Sequence, residues 1–135
     1  MTPTEAMAQA TASFILQPDK TSLNAGENLI ITIDMNTGGQ NVNSYITNLS
    51  YPEDKFTYED INTDGSPFTM ALEAKGGNGE VNIIRGTTKA VNGKELIGKA
   101  SFKAKMNASA DEIKLTSKSA IISSDRSEER RVGKE

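Results

Sequence analysis

The chain contains no cysteine, no histidine and no tryptophan. Without cysteine there is no disulfide, no thiolate nucleophile and no cysteine-ligated zinc. Without histidine the usual general base and the commonest metal ligand are both missing. Aromatic residues are sparse, at 5%, so a flat stacking platform for crystalline polysaccharide has little to be built from. No apolar run approaches the length of a membrane span, and direct membrane insertion is not expected. The net charge of −3 comes with no dense basic patch inside the domain, which argues against nucleic-acid binding.

What remains is a chain of 135 residues rich in Ser, Thr, Asn and Gly. That length suits one domain, and such a domain buries roughly two-thirds of its unfolded surface without needing a metal or disulfide. The composition suits short strands joined by polar turns. Residues 1–11 read as a disordered start rich in Ala and Thr, or as the remnant of a signal sequence. The small-residue pattern Ala6-Met7-Ala8 and Ala8-Gln9-Ala10 motivates the second alternative. Residues 126–135 (RSEERRVGKE) break the pattern abruptly. They resemble a translated adaptor-like tail of fragmentary metagenomic gene models, and are set apart from a domain over residues 12–125.

Within that domain period-two alternation dominates. Residues 12–17 place Phe14 and Leu16 inward. Residues 29–35 place Leu29, Ile31, Ile33 and Met35 on one face. In residues 42–51, Tyr45, Leu49 and Tyr51 face in, while Ser44, Ile46, Asn48 and Ser50 face out. Pro52 cannot donate to a ladder and closes that strand. Phe56 and Tyr58 point inward in residues 56–61. Phe68, Met70, Leu72 and Ala74 are expected inward in the next strand. Gly76-Gly77-Asn78-Gly79 is a strong hairpin signal. Val81 and Ile83 then face the core, with Asn82 and Ile84 outward, and Gly86-Thr87-Thr88 is read as the strand exit. After a turn at Asn92-Gly93, Leu96, Ala100, Phe102, Ala104 and Met106 share one face. Lys99, Lys103 and Lys105 share the other. Residues 112–116 and 119–124 are expected as a final pair of short strands. About nine strands with no long helix predict an all-β, nine-stranded β-sandwich of jelly-roll topology.

Residues 38–56 (GGQNVNSYITNLSYPEDKF), 66–88 (SPFTMALEAKGGNGEVNIIRGTT), 93–105 (GKELIGKASFKAK) and 119–125 (SAIISSD) together resemble a cohesin domain. They are most similar to the cohesin-like modules of bacterial surface proteins. The combination of a Gly-Gly-Gln entry, a Leu-Ser-Tyr-Pro strand exit, an Asn-Gly hairpin and an Ile-Ile-Arg-Gly segment carries the likeness. The resemblance implies a nine-stranded jelly roll related to carbohydrate-binding modules. It also implies a dockerin-like protein partner, bound on one sheet face made by the third, fifth, sixth and eighth strands. On this chain those are residues 42–51, 68–74, 80–85 and 112–116. Their outward side chains Ser44, Ile46, Asn48, Glu73, Asn82 and Ile84 are the candidate partner-binding residues. Two outward isoleucines on neighbouring strands make a small apolar patch of the kind a partner covers. Dockerin-binding cohesins often carry Asn and Asp at the positions matching Ser44 and Ile46, and this chain departs from that pattern.

The implied function is a non-catalytic, monomeric attachment module, extracellular or at a cell surface, within a polysaccharide-related assembly. The alternatives are a carbohydrate-binding module, with polysaccharide as partner, or a structural spacer of a surface adhesin. No cofactor is expected. Asp60, Asn62, Asp64 and Gly65 match the first half of a calcium loop. However, Ala71 stands where the bidentate Glu belongs, so an Asx-rich turn is the favoured reading. Adjacent acids such as Glu53/Asp54 and Glu59/Asp60 point to opposite faces of a strand and do not flank one bond.

Overall fold

The computed structural model describes residues 12–123. The segments assigned above to residues 1–11 and 126–135 lie outside the described residues. Eleven strand segments follow in order: β1 (Ser13–Pro18), β2 (Ser22–Leu23), β3 (Asn28–Asn36), β4 (Val42–Ser50), β5 (Phe56–Asn62), β6 (Met70–Gly77), β7 (Glu80–Val91), β8 (Lys94–Ala104), β9 (Ala108–Ser109), β10 (Lys114–Leu115) and β11 (Ala120–Ser123). A 3-10 turn, Ala110–Glu112, separates β9 from β10.

Two antiparallel sheets form the sandwich. One runs β1-β3-β8-β5 and the other β10-β4-β7-β6, with β11 also paired to β4. A small ribbon of β2 and β9 closes one side. Successive strands change sheet from β3 to β4, β4 to β5, β5 to β6 and β7 to β8, the Greek-key habit of a jelly roll. The all-β sandwich is therefore as expected from the sequence. The segments exceed nine because β2 and β9 have two residues each, and because β10 and β11 are two pieces laid along the same edge of β4. They pair with β4 and not with each other.

The core is made by the two inner faces. Leu29, Ile31, Ile33 and Met35 of β3 meet Tyr45 and Leu49 of β4 and Val81 and Ile83 of β7, all fully or almost fully buried. Edge-to-face rings join the layers: Phe14 on Tyr45 at 6.0 Å and Tyr51 on Phe102 at 5.3 Å between centroids, with Phe68 packed on Tyr45 at 4.9 Å. Five of the aromatics are buried; Phe14 and Tyr58 are partly buried and pack against the same core. The β6–β7 connection is a two-residue loop, Asn78-Gly79, with φ of 55° and 83°. Positive φ at both positions is what a type I′ turn demands, and Asn-Gly supplies it at least cost.

Three alternation readings are corrected. In β6, Met70 and Leu72 are exposed at 46% and 62%, and Ala74 is exposed too. A bulge between Ala71 and Glu73 breaks the period, and β6 is a sheet edge with one neighbour. Phe68 is buried as expected but precedes the strand. In β8, Ile97 is buried while Leu96 is only half-buried, because Ile97 is the extra residue of a bulge opposite Ile33 and Asp34. Met106 lies past the end of β8 and is 42% exposed. Finally, β7 does not exit at Gly86-Thr87-Thr88 but continues to Val91 and pairs there with Val42.

Candidate functional site

Paired residues of an antiparallel sheet project from the same side, so register alone lays out the outer face of the β10/β11-β4-β7-β6 sheet. One row reads Ala120, Ile46, Ile84, Glu73 across β11, β4, β7 and β6. A second, displaced toward one end, reads Ile122, Ser44, Gly86, Met70. On the other side lies a third, Asn48, Asn82, Lys75, and beyond it Ser50, Glu80, Gly77. All six sequence-predicted residues thus share one sheet, and the four strand regions expected to form the face do form it.

The face divides into two halves. Ile46, Ile84, Ala120, Ile122 and Met70 make one half apolar and uncharged. Gly86 leaves a flat spot within it: a β-carbon there would meet the Asn43 carbonyl oxygen at 3.3 Å. The other half is a linked set of amides and carboxylates around a shallow cavity of about 310 Å³, bordered by Asn48, Glu73, Lys75, Asn78, Glu80, Asn82 and Lys118. Asn82 donates to Glu73 Oε2 at 2.7 Å. Asn48 donates to Asn82 Oδ1 at 3.2 Å and to Glu80 Oε1 at 3.4 Å. Thr116 Oγ1 donates to Asn48 Oδ1 at 2.6 Å.

Asn48 differs from the other five candidates. It lies on the outer face but is only 2% exposed, while the rest are half-buried. Its cover comes from the interruption between β10 and β11. Residues 116–119 form a turn closed by the Ser119 N–H donating to the Thr116 carbonyl. Thr116 N–H and Ser119 Oγ both donate to the Asn48 carbonyl, and Asn48 N–H donates to Ser119 Oγ. This turn replaces regular strand pairing opposite Asn48 and lifts Lys118 over the sheet, where its Nζ meets Glu80 Oε2 at 3.1 Å. The hydrogen bonds from Lys118 and Asn48, with the charge of Lys118, hold the Glu80 carboxyl below its ordinary range.

Sequence reasoning missed Glu80, Thr116, Lys118 and Ser119. Glu80 was findable, since it stands two residues before Asn82 on the same strand. The other three carry no local signal, because their place is fixed by what they meet on β4.

The half-loop around Asp60, Asn62 and Asp64 is a turn at the end of β5. Asn62 Oδ1 accepts the Asp64 N–H at 2.9 Å, and Gly65 follows at φ 89°. Among the described residues no three acidic side chains gather as a metal site would need.

No family model matches the chain, and no curated protein matches it. Solved structures do. The cohesin CaCohA2 of Clostridium acetobutylicum aligns with a TM-score of 0.68 at 14% identity, over 85% of this chain and 81% of that one. The same cohesin in complex with a dockerin aligns with a TM-score of 0.61 at 16% identity, over 81% and 84%. The sixth cohesin of scaffoldin B from Acetivibrio cellulolyticus, in complex with a mutant Cel5 dockerin, aligns with a TM-score of 0.62 at 14% identity, over 84% and 88%. The chain has the fold of a cohesin module.

Proposed function

We propose that this chain is a non-catalytic attachment module that receives a dockerin-type protein on the outer face of the β10/β11-β4-β7-β6 sheet. The observation that carries the reading is the uncharged row Ala120, Ile46, Ile84, set across three strands of a fold shared with cohesins solved in complex with dockerins. Half-buried aliphatic side chains on a rigid sheet lose little conformational freedom when covered, which favours their use as anchors. Neither histidine nor cysteine is present to act as base or nucleophile. The two carboxylates of the face are tied to Asn82 and Lys118. An extracellular or cell-surface assembly concerned with polysaccharide is the setting this function suits, with the module monomeric in the absence of its partner. No helix among the described residues is long and apolar enough to cross a membrane.

The test is calorimetric titration of the full chain with a panel of calcium-loaded dockerins. Micromolar or tighter binding, lost in Ile46→Asp without a change in melting temperature, is expected. Silence across the panel together with binding to a polysaccharide would overturn the reading in favour of a carbohydrate-binding module. Binding that survives Ile46→Asp would move the interface off this face.

A further inference from the structure

A second cleft, of about 360 Å³, opens where the free edges of the two sheets, β5 and β6, come together. Tyr51, Glu53, Tyr58, Gly76, Gly77 and Lys105 border it, and none of Ile46, Ile84 and Ala120 does. The chain builds it locally. Tyr51 follows β4, and its N–H donates to the Gly79 carbonyl at 2.9 Å. Pro52 then turns the chain into β5, its carbonyl accepting from the N–H groups of both Lys55 and Phe56. On the far wall the two glycines end β6. Gly76 leaves room for the Tyr58 ring, and a β-carbon on Gly77 would meet nothing within 4 Å.

The polar groups on these walls are unspent. Tyr51 is only 7% exposed, yet its hydroxyl has no hydrogen-bond partner among the described residues. It is also not one of the two hydroxyls shut off from solvent. The oxygen of this nearly buried side chain therefore meets the outside at the cleft it borders. Tyr58 is half-buried, and its phenol is pushed above the ordinary range by burial first, then by Asp60 and by Tyr51, so the two phenols are electrostatic neighbours. The Glu53 carboxylate makes no ion pair or hydrogen bond among the described residues. Its side chain lies along the hairpin, Cγ standing 3.6 Å from where a β-carbon on Gly79 would be. Lys105 spends one N–H on the Glu53 carbonyl at 2.9 Å, which leaves two.

We propose that this cleft is a saccharide subsite, taking one neutral sugar residue of a longer glycan. The donor and acceptor set selects that chemistry. Glu53 only accepts, Lys105 only donates, and the Tyr51 hydroxyl does either. One negative and one positive group leave no net charge to favour an anion or a cation. Between these groups stand a tyrosine ring and glycine backbone, an apolar surface with few polar contacts, as small-molecule sites have. A sugar matches the set, because it carries hydroxyls around a ring of C–H bonds. Its hydroxyls bond to Tyr51, Glu53 and Lys105, and its C–H edge lies against Tyr58 and Gly76. A flat aromatic row is not needed for one enclosed residue. The subsite stands apart from the attachment face, so a protein partner and a glycan can be held together.

The experiment is an NMR titration of the isotopically labelled full chain with cellotetraose, xylotetraose, mannotetraose and chitotetraose. At least one of them should move the amide signals of Tyr58, Gly76 and Gly77 saturably, with millimolar affinity. Tyr51→Phe removes only the unpartnered hydroxyl and should fold unchanged while weakening that binding about fivefold, the scale of one net hydrogen bond. Glu53→Gln should weaken it by a similar factor. Ile46→Asp should bind the sugar as the parent chain does, which separates this site from the attachment face. Silence of those amides toward all four oligosaccharides overturns the subsite. So does affinity that neither Tyr51→Phe nor Glu53→Gln alters. Shifts that gather instead at Ile46 and Ile84 would put the sugar on the outer face and overturn it as well.

Discussion

The ring of Tyr58 lies directly over the α-carbon of Gly76. A β-carbon built on Gly76 would come within 2.7 Å of Tyr58 Cδ1 and Cγ and 2.8 Å of Cδ2. Tyr58 belongs to β5 and Gly76 to β6, so this contact joins the edges of the two sheets, and Tyr58 then passes the packing on to Phe102 at 6.3 Å. Gly76 sits in the hairpin run for a different reason than its neighbours. Gly77 and Gly79 have positive φ, whereas Gly76 is needed for the space it leaves empty.

Gly76→Ala should therefore destabilise the fold by about 1–3 kcal/mol, as overpacking against an aromatic ring does. Tyr58→Leu should also cost stability, through the lost contact with Phe102. In the Gly76→Ala background, however, the Tyr58→Leu cost should shrink, because the clash goes with the ring. Urea denaturation of the two single variants and the double variant gives the coupling directly. Strict additivity would mean that the ring does not rest on Gly76.

Among the described residues, two buried hydroxyls have no hydrogen-bond partner, those of Tyr45 and Thr47. Both residues are fully buried, and burial pushes the Tyr45 phenol well above its ordinary range despite the nearby Arg85 charge. An orphaned buried hydroxyl has given up water for nothing, a cost of about 1–3 kcal/mol. Thr47→Val has nearly the same shape without the hydroxyl and should raise stability by about 1 kcal/mol, with an unchanged urea m-value. Tyr45→Phe should act in the same direction, and neither change touches the outer face.

How far the sequence could be read is clearest in β8. The alternation of Ala100, Phe102 and Ala104 was legible, and all three are buried. The same parity placed Leu96 inside, but the bulge opposite Ile33 and Asp34 inserts one residue and brings in Ile97. A bulge is a property of two strands, and nothing within residues 96–98 announces it. The same holds at the candidate site. Ile46, Ile84 and Asn82 were visible from parity. The covering of Asn48 was not, because it depends on Thr116 and Ser119 arriving from the far end of the chain. The consequence is measurable: Ile97→Ala should cost about 2–5 kcal/mol and Leu96→Ala distinctly less. Equal costs would contradict the observed register.

The ion pair of Lys55 and Glu112 ties the turn after β4 to the 3-10 turn at a separation of 2.8 Å. Glu112 also accepts the Ser109 N–H at 3.0 Å. Its carboxyl is held below its ordinary value of 4.5, first by the hydrogen bond from Lys55 and then by that from Ser109. Glu80 is shifted the same way by Lys118 and Asn48. A carboxyl whose folded pKa is depressed contributes stability that is fully present above the unfolded value and is lost as pH falls through the folded one. The melting temperature should therefore begin to drop as pH falls through about 4.5, the ordinary carboxyl value, and keep dropping below it. On the alkaline side the Lys55 ammonium is raised above its ordinary 10.5 by the same partner, so its share persists until pH climbs past that value. Glu112→Gln should lower the melting temperature slightly at neutral pH and make the acid limb shallower, leaving Glu80 as a remaining contributor. Lys55 and Glu112 each keep about a third of their side-chain surface in water, so the effect is small and should fade as salt is raised. Thermal melts of the two proteins between pH 3 and 8 in low and high salt measure it, and parallel acid limbs would show that the pair contributes nothing to stability.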